Sequence, residues 1–227
     1  MEKTKLDNLT NKIIKKHFGK RPIVIGVTGN IASGKSVLAK KIEKICNLKC
    51  PNLTTKIIST DNFLFSNQKL IQKGIMNKKG FPESYNYSLI KNFILAILNK
   101  QKVSFPKYSQ KLNDIDPNSY ITFKCPDIII IEGLIILQEE FQKIFNEIIF
   151  VDVKESDNFK WFLKRCYDLN LPFLYHKSKE DFYKLAKKTW EKVNLRNYHE
   201  NILPVKFRST INLEVGNKHQ IKNIKFI

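Results

Sequence analysis

Pro22-Ile-Val-Ile-Gly-Val-Thr28 followed by Gly29-Asn-Ile-Ala-Ser-Gly34-Lys35-Ser36 is the stretch on which the fold of this chain turns. Residues 22–28 form an apolar run of strand length, and Val37, Leu38, Ile42 and Ile45 then recur at helical spacing between Lys35 and Cys46. Between them, residues 29–36 fit G-x-x-x-x-G-K-[ST] without a mismatch. Gly29 and Gly34 permit backbone angles that turn successive N–H groups inward, making a nest for phosphate oxygens. The helix that starts near Lys35 adds the positive end of its dipole. The candidate phosphate-binding residues are therefore Gly29, Asn30, Ile31, Ala32, Ser33, Gly34, Lys35, Ser36 and Val37, with Ser36 also a candidate metal ligand.

Outward from that loop, further strands are expected at 56–60, 127–131, 148–153, 210–215 and 221–227. Helices are expected at about 89–99, 156–169 and 179–198, with a long polar connection over 67–88. Strands apolar on both faces, alternating with helices, imply an α/β fold: a three-layer phosphate-loop architecture with a mainly parallel sheet covered by helices on both faces. Nothing in the composition marks a boundary, so residues 1–227 are expected to be one domain. A basic amphipathic helix (Leu9, Ile13, Ile14, Phe18) occupies residues 1–20. Segments 62–88 and 104–124 are the expected substrate or lid region.

In such sheets ligands bind beyond the carboxyl ends of the strands. Asp61 closes the second strand, and a neighbouring parallel strand is expected to place it beside the phosphate loop. There it can orient an acceptor hydroxyl and take its proton. Taken alone, a turn or capping role for Thr60-Asp61-Asn62 explains the aspartate equally well. Glu132 follows four isoleucines; a carboxylate at the end of a buried strand is costly without a partner, which points to a metal ion or its waters. Arg165 is one of only four arginines and is a candidate for neutralising charge on a transferred phosphoryl group, although a surface arginine is the commoner outcome.

Composition excludes several classes. Hydrophobic residues make up 42% of the 227, enough for a packed core, and no run approaches the ~20 apolar residues of a membrane helix. No secretory leader is legible, so the cytoplasm is the expected location. The four cysteines show no metal-binding spacing and are expected to be reduced. The net charge of +19 is nearly all lysine spread along the chain, so a specific nucleic-acid partner is not expected.

The runs Ser59-Thr-Asp-Asn-Phe-Leu-Phe-Ser-Asn-Gln-Lys-Leu70, Asn77-Lys-Lys-Gly-Phe-Pro-Glu-Ser-Tyr85, Pro126-Asp-Ile-Ile-Ile-Ile-Glu-Gly-Leu134, Phe150-Val-Asp152 and Asn201-Ile-Leu-Pro204 resemble bacterial type I pantothenate kinase, a phosphoribulokinase/uridine kinase-like family. The resemblance runs in order from about residue 20 to the C-terminus. It implies ATP and Mg²⁺, pantothenate as the small-molecule acceptor, 4′-phosphopantothenate as product in coenzyme A biosynthesis, and a homodimer. By position it implies Asp61 as catalytic base, Lys35 and Arg165 as further catalytic residues, Glu132 and Ser36 at the metal, and Tyr108 and Asn201 at pantothenate. His219 falls where the family packs on adenine.

The chain also departs from the family. Only about twenty residues precede the first strand, where the family carries a longer segment that reaches the nucleotide. Phe162 replaces a tyrosine that hydrogen-bonds pantothenate, and Cys166 replaces an aromatic in the same pocket. Gln110 stands for a histidine, and Lys40 for an arginine, at positions bearing on coenzyme A feedback, so weakened feedback is expected. Two other readings stay open. One is a related kinase for a nucleoside or glycerate; the other is a non-catalytic nucleotide-binding regulatory protein.

Overall fold

Ile128, Ile129, Ile130 and Ile131 are all solvent-inaccessible, and the pleat sends them alternately into two different cores. Ile129 and Ile131 join one apolar layer, Ile128 and Ile130 the other. A strand that must bury both faces has no polar positions to offer, which explains the unbroken run. The computed structural model describes residues 2–227. The strands are β1 (Ile23–Gly29), β2 (Thr55–Ser59), β3 (Val103–Ser109), β4 (Asp114–Phe123), β5 (Ile128–Glu132), β6 (Glu147–Val153), β7 (Ile211–Val215) and β8 (Ile221–Phe226).

Six of them form one sheet in the order β2-β5-β1-β6-β7-β8. All pairings are parallel except β7 with β8 at the edge. One face is covered by α1 (Glu2–Lys16) and α2 (Lys35–Lys49), which bury Leu6, Leu9 and Ile13, and Leu38, Ile42 and Ile45, respectively. The other face carries α4 (Tyr87–Leu98), whose Ile90, Phe93 and Ile97 pack with Phe63 and Phe105. The expected three-layer α/β architecture is the one observed. Buried Glu147, at the start of β6, ties the end of α1 to the sheet through Lys16 at 2.6 Å and His17 at 2.9 Å. All four cysteines are free thiols, and no helix among the described residues is long and apolar enough to cross a membrane.

Several local expectations need correction. Phe18 is not on the buried face: α1 ends at Lys16, the chain turns through Gly19, and Phe18 is 80% exposed. The connection over 67–88 is not featureless. It holds α3 (Asn67–Gln72), capped by the Ser66 hydroxyl, and two short 3₁₀ turns at Met76–Lys78 and Pro82–Ser84. Asn86 caps α4 by accepting from Leu89 N, so that helix starts two residues early. The 104–124 region is an antiparallel hairpin of β3 and β4, with a register shift at Pro106/Lys107, where proline cannot donate to the ladder.

The remaining helices are α5 (Glu139–Gln142), α6 (Glu155–Asp168), α7 (Leu171–Leu174) and α8 (Lys179–Thr189). The expected helix over 179–198 stops being α-helical at Thr189. It widens into π-helical turns at Trp190–Leu195 and Tyr198–Ile202, which hydrophobic periodicity does not distinguish from α-helix.

One glycine is decisive for the joint between β5 and the turn after β2. A Cβ at position 133 would overlap the Thr60 side chain outright. Gly133→Ala should therefore cost on the order of 2–3 kcal/mol. In a thermal melt that corresponds to a midpoint lowered by roughly 5–10 °C. An unchanged midpoint would show that the joint has slack.

Candidate active site

Gly29 ends β1 with φ +141°, and a Cβ there would meet the Val151 carbonyl at 2.5 Å, so only glycine lets the chain leave the sheet here. Ala32 and Gly34 are also left-handed, at φ +56° and +93°, and Gly34 is the residue before α2. These reversals curl residues 29–34 around the N-terminus of α2, whose first turn has neither a side-chain cap nor an acidic residue. Asn158 of α6 braces the loop from outside by donating to the Ile31 carbonyl at 2.8 Å. Lys35 crosses it from inside, its ammonium donating to the Asn30 carbonyl at 2.7 Å. The result is a tight loop curled over the positive end of the α2 dipole, the kind of place that attracts an anion.

The carboxylates arrive by a different route from the expected one. Asp61 is not the last residue of a strand next to β1: β5 lies between β2 and β1, and Asp61 sits in a 3₁₀ turn, Thr60–Phe63, beyond β2. The strand ends still converge, because Glu132 at the end of β5 is in register with Val27 on one side and Ser59 on the other. Glu132 is only 8% exposed.

Lys35, Asp61, Glu132 and Arg165 act on one another electrostatically. Burial pushes the Lys35 ammonium down to about 8, against the pull of Glu132 and Asp61. Burial, reinforced by repulsion from Glu132, pushes the Asp61 carboxyl up to about 6, while Lys35, Arg165 and Lys79 oppose the shift. A carboxyl near 6 in a cleft of cations suits acceptance of a proton at neutral pH.

The hairpin brings Tyr108 to this group. Asn62, next to Asp61, accepts from the backbone N–H of Tyr108 at 2.8 Å and pins β3 against the turn. Tyr108 lies near the end of β3. Its hydroxyl donates to Asn113 at 2.7 Å, and its pKa is raised by burial and by the Asp61 charge. Arg165, in the last turn of α6, reaches the hairpin and donates to Gln110 Oε1 at 3.2 Å.

Asn201 stands in the second π-helical turn and donates to Asn197 at 3.0 Å, which in turn donates to the Gly80 carbonyl at 2.8 Å. That chain of amides links Asn201 to the turn carrying Lys79. Phe162 packs on Trp190 with centroids 5.2 Å apart, and Cys166 is buried with Phe182 and Ala186. Ser36 and Val37 are exposed at the start of α2, and His219 lies in the turn between β7 and β8.

Sequence reasoning missed Lys79, Asn62 and Asn158. Lys79 lies inside the quoted run Asn77–Tyr85 and Asn62 inside Ser59–Leu70, so both had a signal; Asn158 had none.

A cleft of about 560 Å³ runs from the phosphate loop past Arg165 to Trp161, Leu213 and His219. That volume fits a nucleotide. Among the described residues no cluster of three His, Cys, Asp or Glu side chains forms an all-protein metal cage. The oxygen donors that are present, Ser36 and Glu132, suit a Mg²⁺ ion that takes its remaining ligands from water and phosphate.

Comparison with known proteins shows the family. Residues 24–170 match the Phosphoribulokinase / Uridine kinase family. The pantothenate kinase of Latilactobacillus sakei is 35% identical over 93% of this chain and 73% of its own length. The chain belongs to the pantothenate kinase group of this family. It is accordingly an enzyme, a phosphotransferase with an alcohol acceptor. The pantothenate kinase of Streptococcus thermophilus is 33% identical over 92% of the chain and 73% of its own length. Among solved structures, D-glycerate 3-kinase from Cryptococcus neoformans superposes with a TM-score of 0.71 at 14% identity, over 99% of both chains. A putative fructose transport system kinase from Silicibacter gives 0.70 at 18% identity, over 90% of this chain and 95% of that one. At those identities they speak for the kinase fold alone.

Proposed function

We propose that this kinase transfers the γ-phosphoryl group of ATP to the primary hydroxyl of pantothenate, giving 4′-phosphopantothenate and ADP. The observation that carries this is the quartet of buried Lys35 and Glu132, half-buried Asp61 and exposed Arg165, coupled electrostatically beside the phosphate loop, in a chain whose relatives include curated pantothenate kinases. The amides of residues 29–36 and Lys35 hold the phosphates. Asp61 orients the acceptor hydroxyl and takes its proton as the new O–P bond forms and the bond to the β-phosphate oxygen breaks. Arg165 neutralises charge on the phosphoryl oxygens, and Tyr108 and Asn201 position pantothenate. A Mg²⁺ ion entering with the nucleotide would be held by Ser36 and Glu132, and supplies further charge neutralisation on the phosphates.

Phe162 lacks a hydroxyl that the related tyrosine offers, and a lost polar contact weakens acceptor binding by about 1 kcal/mol. Phe162→Tyr should lower the KM for pantothenate several-fold with little change in kcat. We also propose a cytoplasmic homodimer, to be checked by sedimentation, with weak feedback by coenzyme A. Gln110 is engaged by Arg165, and Lys40 cannot offer arginine's planar fork. Low-micromolar inhibition by coenzyme A against competing ATP would refute the feedback proposal.

The pH dependence follows from the two shifted groups. Below about 6 Asp61 is protonated and cannot accept a proton; above about 8 Lys35 loses the charge that grips phosphate. The kcat/KM profile should therefore be a bell with limbs near those values. Full activity retained at pH 5 would contradict the role of Asp61. The function itself is tested by mass spectrometry of the products formed from ATP, Mg²⁺ and pantothenate. Pantothenate returned unmodified, while a nucleoside or glycerate is phosphorylated, would transfer the assignment to that acceptor.

A further inference from the structure

The cleft has two chemically different ends. The phosphate loop forms one; the other is apolar, with Val151, Leu213 and Ile221 as its floor and the Trp161 and His219 rings at its edge. Those two rings are stacked, with centroids 3.7 Å apart and planes at 26°. His219 sits there in a left-handed conformation, φ +59°, which histidine, like asparagine and aspartate, adopts more readily than most residues. The turn that carries it closes through two hydrogen bonds of 2.9 Å, from Gly216 N to Gln220 O and from His219 N to Gly216 O. Trp161 lies four residues before Arg165 on α6, so one helix face presents an aromatic ring to one end of the cleft and a guanidinium to the other. A nucleotide gripped by its phosphates at the loop must direct its base towards the aromatic end.

We infer that Trp161 is a positioning residue for the nucleotide base. It backs the His219 imidazole and fixes the β7–β8 turn, so that a purine ring stacks on the outer face of His219. This rests on the nucleotide reading above, and the stack of three rings follows from the preference of π-systems for offset parallel contact.

The test compares ADP with pyrophosphate, which lacks the base, by calorimetric titration in the presence of Mg²⁺. For W161A the ADP dissociation constant should rise about five- to tenfold while that of pyrophosphate stays within about twofold. W161F should recover most of the loss. H219A should match W161A, and the double variant should bind ADP no more weakly than either single one. Equal loss for both ligands in W161A, or no loss for ADP, would overturn the inference. Should W161A fail to fold, H219A, at an exposed turn position, carries the same comparison with the same two outcomes. A wild-type protein that binds neither ligand would instead overturn the nucleotide reading, and this inference with it.

Discussion

Asp61→Asn is expected to lower turnover by about 10²–10⁴-fold, the range for a positioned general base, while ADP binds within about twofold of wild type. Asparagine keeps the size and the hydrogen-bonding reach of the side chain but cannot accept the proton of the hydroxyl. Stability should move in the opposite direction. The folded protein holds the Asp61 carboxyl near 6, above its ordinary value of 3.8, chiefly through burial and the neighbouring Glu132. A carboxyl with a raised folded pKa favours the folded state most at low pH, and that advantage is lost as pH rises through about 6. The asparagine variant should therefore melt a few degrees above wild type at pH 7.5, and the gap should close below pH 4. Loss of activity with loss of stability at pH 7.5 would point to a structural role for Asp61.

Lys35→Met should be comparably damaging for a different reason. Lys35 is the cation inside the phosphate cradle, and its removal is expected to lower turnover by about 10²–10³-fold or more. Unlike Asp61→Asn, it should also weaken ADP binding. Lys35 moreover helps to keep the Asp61 carboxyl ionised. In the methionine variant the acid limb of any residual activity should move towards higher pH. A limb that stays in place would mean that the two groups do not share the field described above.

Much of this was legible in the chain itself. The glycine loop and the isoleucine run of β5 are read directly, because a doubly buried strand and an anion-binding turn each impose residue types that little else requires. The hairpin of β3 and β4 was not legible. Its outer strand alternates only weakly, and it is held in place by Asn62 reaching Tyr108 and by Phe105 packing on Phe63 and Phe93. Contacts of that kind leave no local pattern.

The route by which Asp61 comes near Lys35 differs from the expected one, since strand order across a parallel sheet is not written in strand sequence. Lys79 escaped notice because it is one cation in a lysine-rich chain. It acts on Asp61 from a position held by Asn67 and by the carbonyl of Asn113, which is far away in sequence. Tyr108 and Asn201 are held by such long-range pairings, which is why the resemblance to pantothenate kinases, and not spacing, first pointed to them.

A crystal structure with a non-hydrolysable ATP analogue, Mg²⁺ and pantothenate bears most directly on the proton transfer at the heart of this scheme. It should show the γ-phosphate in the amide nest and the primary hydroxyl of pantothenate about 2.6–3.2 Å from the Asp61 carboxylate. A hydroxyl bound out of reach of Asp61, with the phosphates in the nest, would contradict the scheme.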